Sequence, residues 1–223
     1  MNQDPRIEIV EKIMPKSGHV SKIVVFLHGL GADGKDLIDI GAHWRDSLDN
    51  TLFLSPDAPF SCDMAPYGRQ WFSLQNRSIE TVNEGVHSSA SALNVFLDSC
   101  LKEHGLDDGD MAVVGFSQGT MMALYSLPRR LKACAGILAY SGLLPREAVF
   151  EKECISRPPV VLVHGRNDQV VPCLGTERAF SVLKANGFEV KKHILSGLEH
   201  EISPEGLEIG KDFLKTRLGI HQL

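Results

Sequence analysis

Seven short stretches of the chain are apolar or β-branched and bounded by glycine, proline or charge: Arg6–Ile13, Lys22–His28, Thr51–Leu54, Asp110–Gly115, Ala133–Tyr140, Pro159–His164 and Glu189–Leu195. Each has strand length, and several lack clean apolar/polar alternation, as strands covered on both faces do. Helical patterns lie between them over 35–48, 82–103, 118–130, 176–186 and 204–218. In the second, Val82, Val86, Leu93, Leu97 and Leu101 fall on one face, and Gly105 follows as a C-cap. Strands alternating with helices predict an α/β fold, with a mostly parallel sheet of about seven strands and helices on both faces. In such folds ligands meet the loops at the carboxyl ends of the strands.

Composition narrows this reading. The chain has 223 residues, 43% hydrophobic and 23% charged, enough for one substantial core, so residues 1–223 are expected to form one domain. No repeat or low-complexity tract divides it, and the Pro/Gly-dense stretch 55–78 reads as an internal loop. A formal charge of -5 gives no general basic field for nucleic acid or an anionic membrane. The uncharged run Met111–Pro128 approaches membrane-span length, but Gly115, Ser117, Gln118, Gly119, Thr120 and Ser126 interrupt it, so no integral membrane association is expected. Five cysteines (Cys62, Cys100, Cys134, Cys154 and Cys173) without a CxxC pair fit neither a disulfide framework nor a zinc site. The start, MNQDPRIEIVEK, has no basic end followed by an apolar stretch, and a cytoplasmic location is expected.

The sharpest chemical signal is Gly115-Phe116-Ser117-Gln118-Gly119, a GxSxG between a strand pattern and the helix-compatible TMMALYSL. A serine held on a tight strand-to-helix turn needs small neighbours, and the helix start brings free N–H groups beside the reaction centre. A serine hydroxyl also needs a base and a group that orients the base. Asp168 follows the strand pattern PPVVLVHG, and His200 follows VKKHILSG. The chain order Ser117, Asp168, His200 is the one expected for this fold, with room in each interval for a helix and a strand. The bland alternatives, a capping aspartate and a surface histidine, lose to the whole constellation. Asp107, Asp108 and Asp110 lie before the nucleophile strand, at its wrong end, and read as a solvated turn. Glu199 and Glu201 receive no role. Oxyanion donors are expected from the backbone N–H of Gln118 and, in the loop FLHGLGADG, of Leu30. His28 and His164, each in an HG pair at a strand end, read as structural.

Taken together, FLHGLGADG, GFSQGTMMAL, HGRNDQVVP and GLEHEI resemble the phospholipase/carboxylesterase family of small α/β-hydrolases, which includes acyl-protein thioesterases and bacterial carboxylesterases. The resemblance covers nearly the whole chain. It implies a single-domain α/β-hydrolase fold without a large lid, no cofactor or metal, the Ser117/Asp168/His200 triad, and an oxyanion hole from Leu30 and Gln118. It also implies small acyl ester, acyl thioester or lysophospholipid substrates. One departure is visible: where family thioesterases acting on long acyl chains typically carry a tryptophan, this chain has Leu143.

The 55–77 loop mixes prolines with apolar bulk, and long loops of this kind are commonly functional. Trp71, Phe72 and Leu74, with Leu143 and Val170, are expected to line an acyl groove. The competing expectation is that these rings anchor the loop onto the core. The resulting reading is a serine carboxylesterase, monomer or homodimer, whose activity rises through roughly pH 6 to 7 as its histidine base becomes neutral. Three alternatives stay open: a lysophospholipase, an acyl-protein thioesterase, and a hydrolase-shaped binding protein without chemistry.

Overall fold

The computed structural model describes residues 6–76 and 78–219; residues 1–5, read above for a leader, lie outside that range. Its main sheet has seven strands: β1 (Ile9–Ile13), β2 (Lys22–Leu27), β3 (Thr51–Pro56), β6 (Met111–Phe116), β7 (Gly136–Tyr140), β8 (Val160–Gly165) and β9 (Val190–Leu195). Their order is β1-β3-β2-β6-β7-β8-β9. Only β1 runs antiparallel, on β3; the other five pairings are parallel, with Val24 beside both Phe53 and Ala112, and Val113 beside Ile137. All seven expected strands are therefore present, with ends shifted by a few residues. The largest shifts are at Arg6 and Ala133, each three residues before its strand begins.

Covered faces explain the missing alternation. Within β2, Val25 and Leu27 enter one apolar cluster with Leu93, Leu97, Met122 and Ile137, while Val24 and Phe26 enter another with Trp44, Phe53, Leu138 and Phe213. Successive side chains point to opposite faces, and here both faces are core. The first cluster is covered by α2 (Ile79–His104), α3 (Gln118–Ser126) and α5 (Leu174–Ala185), the second by α1 (Ile38–Trp44) and α6 (Pro204–Arg217).

Helix bounds follow from their caps. Ser78 Oγ accepts the Thr81 N–H at 3.2 Å, so α2 starts three residues before the expected Val82, and Gly105 closes it in the left-handed conformation. Helix α3 gives way to a 3-10 turn at Leu127–Arg129, because Pro128 has no N–H to continue the ladder. Helix α1 spans half of the expected 35–48. Two features too short for periodicity were not foreseen: α4 (Phe150–Glu153) and the ribbon β4 (Phe60–Ser61) with β5 (Arg69–Gln70) inside the long loop.

Candidate active site

The parallel strands β2, β6, β7, β8 and β9 deliver their carboxyl ends to one edge, and the expected residues gather there. Ser117 follows β6 directly at φ 53°, ψ -113°, a positive φ that a non-glycine residue holds only where its surroundings enforce it. Two contacts do so. The Ser117 N–H donates to Tyr140 O at 3.0 Å, and Thr120 Oγ1 lies 2.7 Å from both Gly115 O and Tyr140 O. Gly119 matters by closeness: a Cβ there would overlap the Leu27 carbonyl, so only glycine lets the start of α3 lie on the end of β2.

His200 and Asp168 complete a connected set. Ser117 Oγ is 3.0 Å from His200 Nε2, and His200 Nδ1 is 2.6 Å from Asp168 Oδ2. The other carboxylate oxygen, Oδ1, accepts the N–H groups of Val170 and Val171, each at 2.8 Å. Burial of the Asp168 side chain works to raise its pKa, but the hydrogen bonds from His200 and from these two backbone donors outweigh it and hold the carboxyl below its usual range. It is therefore an anion at neutral pH. The loops bearing acid and base are fastened together: Asn167 N–H donates to Leu198 O at 2.9 Å and Arg166 N–H to Leu195 O at 2.8 Å. At Gly165 a Cβ would strike the carbonyls of Leu198 and Glu199. The Phe116 ring covers the His200 ring at a centroid distance of 4.9 Å. Such an arrangement can transfer a proton from Ser117 to His200 while Asp168 balances the new charge.

Neither the Leu30 N–H nor the Gln118 N–H, the latter at the start of α3, has a hydrogen-bond acceptor among the described residues. The Leu30 loop is clamped on either side. Gly31 N–H donates to Arg69 O at 2.9 Å, Arg69 N–H donates to Ala32 O at 2.7 Å, and Trp71 Nε1 donates to His28 O at 2.9 Å. His28 is fully buried, accepts the Ala58 N–H on Nε2 at 3.0 Å, and lies 2.7 Å from Gly29 O through Nδ1. An acceptor at Nε2 means a neutral ring with its proton on Nδ1, and burial lowers its pKa to match.

The expected groove needs correction. Trp71 has no exposed surface and Phe72 is 3% exposed. Both are loop anchors: the Trp71 indole N–H is taken by His28, and the Trp71 carbonyl accepts Ser89 Oγ at 2.6 Å. Leu74 packs partly buried against the core. The cleft that does open, with a volume of about 770 Å³, lies between the start of α2, the segment after β7 and the start of α5. Its apolar walls include Ile79, Val82, Leu143, Leu144, Val171 and Leu174. Leu143 is thus in place; Val170, half-exposed, adjoins the lining residue Val171. Ile79 and Leu174 had one available signal, a large apolar residue at a helix start on the face turned from the core.

The sequence reading also missed the side chain of Gln118. Its Oε1 accepts the Trp71 N–H at 2.9 Å and its Nε2 donates to Phe72 O at 2.8 Å, so the residue expected to supply an oxyanion donor also ties the long loop to the turn at Ser117. Burial pushes the thiols of Cys100 and Cys134 up to about 12, which makes these two poor nucleophiles. Among the described residues no group of three or more His, Cys, Asp or Glu side chains is placed to hold a metal ion, and no helix is long and apolar enough to cross a membrane.

Comparison with known proteins gives a consistent pattern. A phospholipase/carboxylesterase family model matches residues 9–218. Acyl-protein thioesterase 1 of Neurospora crassa is 30% identical over 224 residues, covering 92% of this chain and 91% of that protein. Carboxylesterase SOBER1 of Arabidopsis thaliana is 27% identical over 210 residues, covering 87% and 90% respectively. The crystal structure of esterase PE8 superposes with a TM-score of 0.92 at 38% identity, over 96% of this chain and all of that one.

Proposed function

Because the chain belongs to the phospholipase/carboxylesterase family, with its α/β-hydrolase fold and carboxylic-ester hydrolase class, we propose that it hydrolyses acyl esters or thioesters through Ser117, His200 and Asp168. The observation carrying this reading is the unbroken hydrogen-bonded path from Ser117 Oγ through both ring nitrogens of His200 to Asp168. Ser117 Oγ attacks the acyl carbonyl as His200 Nε2 takes its proton, and the N–H groups of Leu30 and Gln118 receive the developing oxyanion. The imidazolium returns that proton to the departing alcohol or thiol, leaving the acyl group on Ser117. Water, deprotonated by His200, then attacks the acyl-enzyme; the carboxylic acid leaves and Ser117 regains its proton.

The cleft beside Leu143 is the acyl site in this reading. Its walls continue the catalytic loops, since Val171 follows Asp168 closely and Leu143 follows Gly142, which packs on Thr120. The substrate is a small acyl ester, thioester or lysophospholipid. A lysophospholipase is the second reading, favoured by the exposure of Ile79, Val170 and Leu174 near the cleft. Residues 1–223 act as one domain in the cytoplasm, as a monomer or homodimer.

A matched series of short-to-long acyl esters and thioesters, assayed with wild type and folded Ser117→Ala, tests this. Turnover should fall at least about 10³-fold in the variant, and a fluorophosphonate should label wild type only. Ser117-independent turnover would overturn the mechanism. Preference for micellar over monomeric substrate would select the lysophospholipase.

A further inference from the structure

Asp168 is gripped by a second imidazole that the mechanism above leaves unused. His164, the penultimate residue of β8, has no exposed surface. Its Nε2 lies 3.1 Å from Asp168 Oδ2, the same oxygen that meets His200, and 2.8 Å from Val171 O. Both neighbours only accept, so Nε2 carries a proton. Its Nδ1 lies 2.7 Å from Thr176 Oγ1 on α5, which in turn lies 3.2 Å from Gly142 O.

We propose that His164 is a positioning residue for the hydrolysis, an inference that rests on the triad reading: its Nε2–H holds Asp168 Oδ2 from behind and limits how strongly that oxygen draws on His200. The Asp168 carboxylate is then surrounded by donors, with Val170 and Val171 on Oδ1 and two imidazoles on Oδ2. A carboxylate so saturated cannot rotate away from His200. It is also a weak base toward the Nδ1 proton that His200 donates to it, so that proton stays on the imidazole and Nε2 stays free to act as the base toward Ser117.

The ring must stay neutral for this, and its setting favours that. Burial lowers the His164 pKa, the His200 charge works in the same direction, and the Val171 carbonyl and Asp168 oppose. Asp168 and His200 are the titratable groups facing it; α5 presents the uncharged Thr176, and the segment after β7 presents the Gly142 carbonyl. With Nδ1 unprotonated, the Thr176 hydroxyl donates to it at 2.7 Å in preference to Gly142 O at 3.2 Å, fixing the tautomer and the ring plane. A hydrogen-bonded chain thereby runs from Thr176 through His164, Asp168 and His200 to Ser117.

The test compares His164→Leu, which removes the donor, with His164→Gln, whose terminal amide can donate from the Nε2 position. In His164→Leu, Asp168 becomes a stronger acceptor, so the acidic limb of kcat/KM should move up by about 0.5 to 1 pH unit. The same variant should lose on the order of 10- to 100-fold in kcat with KM little altered, as a displaced catalytic group does. His164→Gln should restore the wild-type limb and recover most of kcat. Fluorophosphonate labelling of Ser117 run alongside separates the two hypotheses: unlabelled wild type defeats the triad itself, while normal labelling with unmoved limbs in both variants defeats only the His164 role. Equal loss of kcat in both variants with no movement of the limb would also overturn it, leaving a purely structural histidine. Should His164→Leu fail to fold, Thr176→Val decides. Without the hydroxyl the His164 tautomer is no longer fixed, and a smaller shift of the limb in the same direction is expected; a wild-type limb overturns the proposal.

Discussion

At the residue scale, spacing and chemistry made the candidate triad readable while leaving the supports hidden. Ser117, Asp168 and His200 each follow a strand pattern, so their meeting at one sheet edge follows from parallel topology alone. The place of Gln118, next to Ser117 at the start of α3, was legible for the same reason. Its side chain was not, because the partners at Trp71 and Phe72 lie in an aperiodic loop whose path no local pattern encodes. That side chain is buried and uses both ends of its amide, so Gln118→Ala would strand a backbone N–H and a carbonyl. Thermal unfolding should show a loss of about 1–3 kcal/mol. Because the backbone N–H at position 118 survives, kcat should fall only as far as the displaced 71–72 segment disturbs the Leu30 loop. A fall as large as that of Ser117→Ala would show that the amide contributes directly to the reaction.

At the element scale, the seven strands were visible because apolar runs bounded by glycine and proline leave few other solutions. The cleft was harder to see. Aromatic bulk in the 55–77 loop suggested an acyl wall, yet Trp71 and Phe72 are core, since a long loop that grips the Leu30 loop must first be anchored. The cleft that opens is walled instead by helix starts and the segment around Leu143. An arginine pair stiffens that segment: Arg146, a cleft residue, lies 2.5 Å from Glu153 of α4, which also lies 2.6 Å from Arg129. A stiff wall makes volume the variable. Leu143→Trp should therefore fill part of the cleft and move the preferred acyl chain to shorter lengths, by at least tenfold in relative kcat/KM between long and short esters, since each lost methylene contact is worth about 0.8 kcal/mol. An unchanged chain-length profile would place the acyl group elsewhere.

At the scale of the whole molecule, the groups that hold the site together also set the pH range in which the fold persists. His28 and His164 are buried neutral at the ends of β2 and β8, with pKa values lowered chiefly by burial. In the unfolded chain both take up protons near pH 6.5. Below that value the unfolded state binds more protons than the native state, so stability is complete above about pH 6.5 and declines as pH falls, by up to about 1.4 kcal/mol per pH unit for each histidine. The carboxylates respond later. Arg146, against the opposing effect of burial and with help from Arg129, holds Glu153 at about 2, and Asp168 is likewise depressed; each contributes stability above its unfolded value near 4 that is lost as pH drops further. Two phases of acid destabilisation are expected, histidine first and carboxylate second. A melting series from pH 8 to pH 3 should show Tm already declining between pH 6.5 and 5, before Glu153 or Asp168 titrates. Replacing His28 with Asn should lower Tm at pH 8 and flatten that first decline, because the variant no longer carries a proton-binding group that only the unfolded chain can use. A Tm constant down to pH 5 in wild type would mean that both rings accept protons in the folded state. The neutral tautomers that lock the Leu30 loop and Asp168 would then have to be abandoned together.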